Sequence, residues 1–176
     1  MPKDLRKPKT RNGGVMSRFA IFEIHPSEMR NTKHPNLKFL DITRKIRNIV
    51  HNAQIAEGII AIAVLHTTAT IAMIEREAGL IVNDLADLVT RLVHDQKNCS
   101  HDRPHRLERL TKKLNRREPE NGVSHLRVML LNIASSIMVI IHEQKLLLGT
   151  WQRIIFIDGD PQNEATRTVA IQIIGE

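Results

Sequence analysis

The 176-residue chain is 41% hydrophobic, 26% charged and 3% aromatic, and its 26 Lys plus Arg against 19 Asp plus Glu give a formal charge of +7. That length and apolar content suit one domain with its own core and exclude a disordered or collagen-like chain. No apolar run approaches the roughly 18 residues of a membrane helix. Residues 1–16 lack the apolar stretch of a signal peptide, and one cysteine, Cys99, allows no internal disulfide. The expectation is a cytoplasmic protein with no membrane partner.

The charge is unevenly placed. Lys3, Arg6, Lys7, Lys9 and Arg11 against Asp4 give residues 1–16 a net +4, and residues 97–117 carry a net +6, which leaves −3 elsewhere. Basic character therefore belongs to two segments and not to the body. With four Phe, one Trp and no Tyr there is no stacking platform for single strands. Nucleic acid is not the expected partner, although weak contact through the two basic segments is a competing reading.

In chain order, residues 1–16 hold Pro2, Pro8 and the pair Gly13-Gly14 and read as a disordered basic arm, with one domain over 17–176. Phe19 to Ile24 predicts a strand ending before Pro26, and 25–37 a loop. Ile42, Ile46, Ile49 and Val50 share one helical face, capped by Asp41 or Thr43 and ended by Gly58. Ile59–Leu65 and Ala69–Ile74 are almost unbroken apolar runs, which predict strands covered on both faces. Leu80–Val93 predicts the strongest helix, with Ile81, Leu85, Leu88 and Leu92 as its stripe. A basic insertion over 97–120 contains a short helix marked by Leu107, Leu110 and Leu114. Strands follow at Ile137–Ile141, Leu146–Leu148, Ile154–Ile157 and Val169–Ile174, with turns at Glu143-Gln144 and at Asp158-Gly159-Asp160-Pro161. This order predicts a single α+β domain, mainly antiparallel sheet with two or three helices.

Nine histidines are many for this length, because a neutral imidazole binds metals and moves protons near neutral pH. His25, His34, His51 and His94 fit surface or loop positions. His66 stands apart, between two apolar runs and beside Thr67 and Thr68, whose hydroxyls can bind an anion; a capped turn with a satisfied histidine is the plain alternative. His101-Asp102 offers adjacent nitrogen and oxygen ligands and His125 another nitrogen, a set suited to zinc or a similar divalent ion. No tight H-x-x-x-H or C-x-x-C spacing supports it. Glycine-rich phosphate loops and the G-x-S-x-G elbow are absent from the sequence, and Cys99 has no sign of a nucleophile. Gly149-Thr150-Trp151-Gln152 reads equally as packing around a glycine bulge or as Gln152 facing a ligand.

Three blocks resemble one family. His66-Thr67-Thr68-Ala69 with Glu75, Asp84 and Leu85, Asn121-x-x-x-His125-Leu126, and Leu146 to Gln152 (L-L-L-G-T-W-Q) occur in this order over residues 38–176, and the chain ends Ile-Ile-Gly-Glu. The sequence thereby resembles the YjbQ-like family, often called secondary thiamine-phosphate synthase. The resemblance implies a YjbQ-like α+β domain, a homotrimer, and a minor transferase activity joining a pyrimidine pyrophosphate to a thiazole phosphate. It also implies a polar site in which His66, Glu75 and His125 are catalytic. Thr67, Thr68, Ser135, Ser136 and Gln152 would bind a phosphorylated small molecule, and His101, Asp102 and His125 a divalent metal, zinc or magnesium. Ile74 stands where the family has asparagine, and the basic insertion replaces a short acidic stretch. A metal- or anion-binding homotrimer without turnover is the alternative function.

Overall fold

The computed structural model describes residues 14–29, 34–93 and 99–176. Most of the expected arm (1–13), His94 and Lys97 lie outside the described residues, while Met16, placed in that arm from sequence, is the first residue of a strand. The elements are β1 (Met16–Ile24), β2 (Lys38–Asp41), α1 (Thr43–Ala53), β3 (Gly58–Val64), β4 (Ala69–Glu75), α2 (Ala86–Leu92), α3 (Pro104–Leu114), α4 (Gly122–Asn132), β5 (Ser136–His142), β6 (Lys145–Leu146), β7 (Gln152–Asp158) and β8 (Arg167–Gly175). Short 3₁₀ turns occupy Pro26–Met29 and Ser100–Asp102, and a π-helical stretch, Gly79–Leu85, runs straight into α2.

The strands form two antiparallel sheets, ordered β1-β8-β3-β5-β6 and β2-β7-β4. Their facing sides share one core containing Ile60, Ile62, Ile71, Phe156, Val169 and Ile171, and α1 closes it with Ile46, Ile49 and Val50. The three-stranded sheet is also covered behind, where Leu37, Phe39, Ile155 and Ile157 pack with Ile81, Ala86 and Val89. That explains the continuous apolar run of β7. The five-stranded sheet has one covered face only. Ile59, Met138, Ile140 and Ile174 on its other side are exposed, so the expectation that β3 is covered on both faces fails for the single chain.

Local physics accounts for the elements and for four differences from the sequence reading. Asp41 accepts the Thr43 N–H at 2.9 Å, while the Thr43 hydroxyl accepts the Ile154 N–H at 2.8 Å and ties α1 to β7. The helix ends at Gln54 (φ 54°), not at Gly58. Gly58 instead lets β3 approach β8, because a Cβ there would collide with the Ile174 carbonyl. Glu143 and Gln144 both have positive φ, as the two-residue hairpin turn between β5 and β6 requires. The wide π turns shift the buried stripe to Ile81, Ala86, Val89 and Val93, leaving Leu88 and Leu92 exposed. β2 lies inside the predicted loop-to-helix boundary, and α4 is a fourth helix the periodicity concealed. Among its residues Ser124, Arg127 and Val128 are buried while Leu126, Met129 and Leu130 are exposed, the reverse of an amphipathic pattern. No helix among the described residues is long and apolar enough to cross a membrane.

Candidate functional site

β3 and β4 do not form a hairpin. They belong to different sheets, and the link between them, Leu65 to Thr68, crosses from one sheet to the other. This crossing fixes His66. The Thr68 backbone N–H donates to His66 Nδ1 at 3.3 Å and the Thr68 hydroxyl, itself buried, lies 3.0 Å from the same nitrogen. A backbone N–H can only donate, so Nδ1 carries the lone pair and the neutral ring has its proton on Nε2. Burial, reinforced by the Arg167 charge, holds the His66 pKa below the ordinary imidazole value.

His125 has the opposite tautomer. It sits on α4 with Nδ1 3.2 Å from the Thr67 carbonyl, which only accepts, so Nδ1 carries the hydrogen and Nε2 the lone pair. Burial first, and the neighbouring His101 second, lower its pKa. His101 lies in the Ser100–Asp102 turn and donates from Nδ1 to Asp102 Oδ1 at 2.7 Å, so that in the neutral ring the lone pair is on Nε2. The Asp102 carboxylate also receives the Gly122 N–H at 3.0 Å, placing a negative group at the first turn of α4. Asp102 thus holds both a ring and a helix. The His101 and His125 rings are 4.8 Å apart between centroids. Gly122 is needed for this approach, since a Cβ there would collide with Cys99 Sγ and meet His101 Cβ at 2.7 Å.

The three histidines line one cavity of about 940 Å³, together with Thr67, Cys99, Arg106 and Ser135 and an apolar wall that includes Leu65, Leu126 and Met129. Arg106, from the basic insertion, donates to the His101 carbonyl at 2.8 Å. Behind His66, Thr67 and His125 opens a second, polar chamber of about 620 Å³, reaching Arg116, Glu118, Asn121, Asp160 and Glu164.

Beneath the chambers, the expected turn at Asp158-Gly159-Asp160-Pro161 carries an ionic network as well. Arg167, fully buried, pairs with the 2% exposed Asp158 at 3.2 Å and donates to the Asp160 and Asn163 carbonyls. Burial pushes the Asp158 carboxyl above its usual range despite that cation. Asp160 accepts from Asn121 Nδ2 at 2.9 Å and from the Ser124 hydroxyl at 3.4 Å. Gly159 donates its N–H to the Thr68 carbonyl at 2.9 Å, clamping the His66 loop onto β7. One signal could have exposed this network: Arg167 stands in phase with Val169, Ile171 and Ile173, the core-facing positions of β8.

The remaining expected site residues divide. Thr67 borders both chambers, whereas the Thr68 hydroxyl is engaged by His66, and Ser135 lines the first cavity. Ser136 pairs with Ala63 and lines a groove on the five-stranded sheet. Glu75 and Gln152 are cross-strand partners at the far end of β4 and β7. They stand roughly 20 Å from the histidine end at about 3.3 Å per residue. Gln152 Oε1 accepts the Gly149 N–H at 2.8 Å, closing the turn that leaves Trp151 70% exposed. Among the described residues no three of His, Cys, Asp and Glu form a group ready to hold a metal.

Fold and site together define a two-sheet α+β domain with a histidine-lined cavity where one sheet passes to the other. The chain belongs to the YjbQ-like family: residues 27–176 match the family described as UPF0047 protein YjbQ-like. A UPF0047 protein of Archaeoglobus fulgidus is 29% identical over 78% of this chain and 92% of its own length. One of Bacillus subtilis is 28% identical over 84% and 96%. Among solved structures, a YbjQ-like protein of unknown function from Sulfolobus solfataricus superposes with a TM-score of 0.69 at 24% identity, covering 92% of this chain and 99% of that one. An Aeropyrum pernix hypothetical protein gives 0.66 at 25% identity, over 90% and 98%. These names establish family and fold and attach no activity.

Proposed function

We propose that the cavity at His66, His101 and His125 binds a phosphorylated or pyrophosphorylated small molecule and moves a proton on it. The observation that carries this reading is the division of labour among the rings. His66 offers an Nε2–H, while His101 and His125 offer lone pairs, and the Asp102 carboxylate orients one of them. The Arg106 guanidinium and the Thr67 and Ser135 hydroxyls supply donors for phosphate oxygens. In its finer form the reading is a thiamine-phosphate synthase-like transferase: the unprotonated thiazole nitrogen forms a C–N bond to the pyrimidine methylene as its C–O bond to pyrophosphate breaks, the His66 Nε2–H donates to the departing oxygen, and the His125 Nε2 lone pair accepts from a ligand N–H. Purified chain incubated with the pyrimidine pyrophosphate and thiazole phosphate should form thiamine phosphate, and His125→Ala should not. Equal behaviour of the two proteins sinks the enzymatic reading and leaves a binding protein without turnover.

A divalent ion would take His101 Nε2 and His125 Nε2 as nitrogen ligands. His66 does not fit as a third, because the Thr68 N–H holds its proton on Nε2, and Asp102 is engaged by His101 and Gly122. No step above runs through such an ion. Zinc should raise the melting temperature of untagged wild type but not of His125→Ala. Self-association, with a homotrimer as the expected form, is supported by the open apolar face of β3, β5 and β8 and by exposed Leu126, Met129 and Leu130 on α4. Light scattering that finds a monomer at micromolar concentration overturns it.

A further inference from the structure

Along α4 the first cavity changes character. At the helix's first turn it is lined by Gly122 and His125, with His101 and Arg106 beside them. The Arg106 guanidinium uses one donor on the His101 carbonyl, and no carboxylate lines the cavity among the described residues. Further along the helix, Leu126, Met129 and the C-cap Ile133 stand at i, i+3 and i+7, on one face. They are 39%, 52% and 77% exposed, and Leu65, 57% exposed, lines the same cavity. From His125 to Ile133 the face runs about 12 Å at 1.5 Å per residue. Large side chains left in water around a concavity mark a place where apolar surface is meant to be covered. A volume of about 940 Å³ suits a drug-sized molecule and far exceeds a lone phosphate. The exposed face of β3, β5 and β8 is different, because the groove on it has no charged residue in its lining. Only the first cavity joins a cationic end to an apolar wall.

We propose that the ligand of the first cavity is an amphiphile, a phosphate or pyrophosphate ester of a single hydrocarbon chain. Its head sits at Arg106, His101 and His125, and its tail lies along Leu126, Met129 and Ile133. This rests on the cavity being a phosphate site, the coarser form of the proposed function, and it names the rest of the ligand. It is independent of the thiamine-phosphate form. Each methylene laid on the wall leaves water together with the side chain beneath it, so affinity grows with chain length.

The test titrates the full chain with butyl, hexyl and octyl phosphate below their micelle concentrations, and with 1-octanol and inorganic phosphate as the separate halves. Affinity should rise about two- to fourfold per methylene, and octyl phosphate should bind more tightly than either half. Met129→Ser combined with Ile133→Ser, both at exposed positions, should flatten that rise. Met138→Ser, at a 62% exposed position on the five-stranded sheet, should preserve it. Arg106→Gln should weaken all three esters by a similar factor and keep the slope. No rise with chain length, a rise unchanged by the double substitution or lost in Met138→Ser, or undiminished binding in Arg106→Gln overturns the proposal. So does a rise that vanishes at concentrations where light scattering shows associated copies, since a second copy then covers the wall. Binding to phosphatidic-acid vesicles without binding to monomeric octyl phosphate overturns it too, in favour of a membrane surface. Inorganic pyrophosphate that shifts the His125 resonances while chain length has no effect sinks the amphiphile and keeps the cavity reading; no shift and no ester binding sink both.

Discussion

β4 and β7 carry polar residues at both ends, and the two ends have opposite fates. At one, Asp158 is buried against Arg167, which also reaches the Asp160 backbone, and that turn clamps the His66 loop. At the other, Glu75, Trp151 and Gln152 lie exposed, and Gln152 only closes its own turn. The same pair of strands thus holds one end by desolvated ionic contacts and leaves the other to solvent. Burial, and not residue type, separates a committed polar group from an idle one.

The largest expected effect probes the committed end. Arg167→Met strands a buried carboxylate and should lower unfolding free energy by about 3–5 kcal/mol in urea titrations. Glu75→Gln should stay within about 0.5 kcal/mol. A comparable loss at both ends would break the contrast. Next comes function: His125→Ala should abolish pyrophosphate-induced shifts and reduce any turnover by roughly 10²–10⁴, with Glu75→Gln unchanged. If Glu75→Gln is equally damaging, the two ends meet in an assembly and the contrast holds for the lone chain only. Gly122→Ala drives a methyl group into Cys99 and His101 and should destabilise by about 1–3 kcal/mol, with altered His101 imidazole signals.

The smallest effect is the pH dependence. The lowered pKa values of His66 and His125 mean that the folded chain binds fewer protons than the unfolded chain below about pH 6.5. Their contribution is complete above that pH and declines as pH falls towards the folded-state values. Exposed His142 behaves in reverse: its bond to Glu57 raises its pKa, so its contribution holds at low pH and is lost as pH rises through the raised value. Urea midpoints between pH 5 and 8 should follow the first sign, and His142→Ala should leave the curve nearly unmoved.

Legibility followed pattern strength. α1, α3 and the strands with short apolar runs were readable because their apolar residues recur in simple patterns, although α3 buries none of its own. α4 was not, because Ser124 and Arg127 point inward while Met129 and Leu130 point out. Of the expected site, His66, His101 and His125 converge on one cavity, but the motif alone could not say that Glu75 and Gln152 lie at the opposite end of the sheet. Asn121 stood in a motif and Asp158 in a turn, while Arg167 was visible only as a letter, and burial marked what the three do.

The sequence by itself determined the family, the α+β class and the histidines, because these depend on local order and periodic burial. Tertiary structure decided what each polar residue does. Crossing between two sheets brings Thr68 onto His66 Nδ1 and Thr67 onto His125 Nδ1, and those two contacts set which ring donates and which accepts. Such assignments depend on partners as much as 58 residues apart, a separation at which sequence spacing carries no directional information.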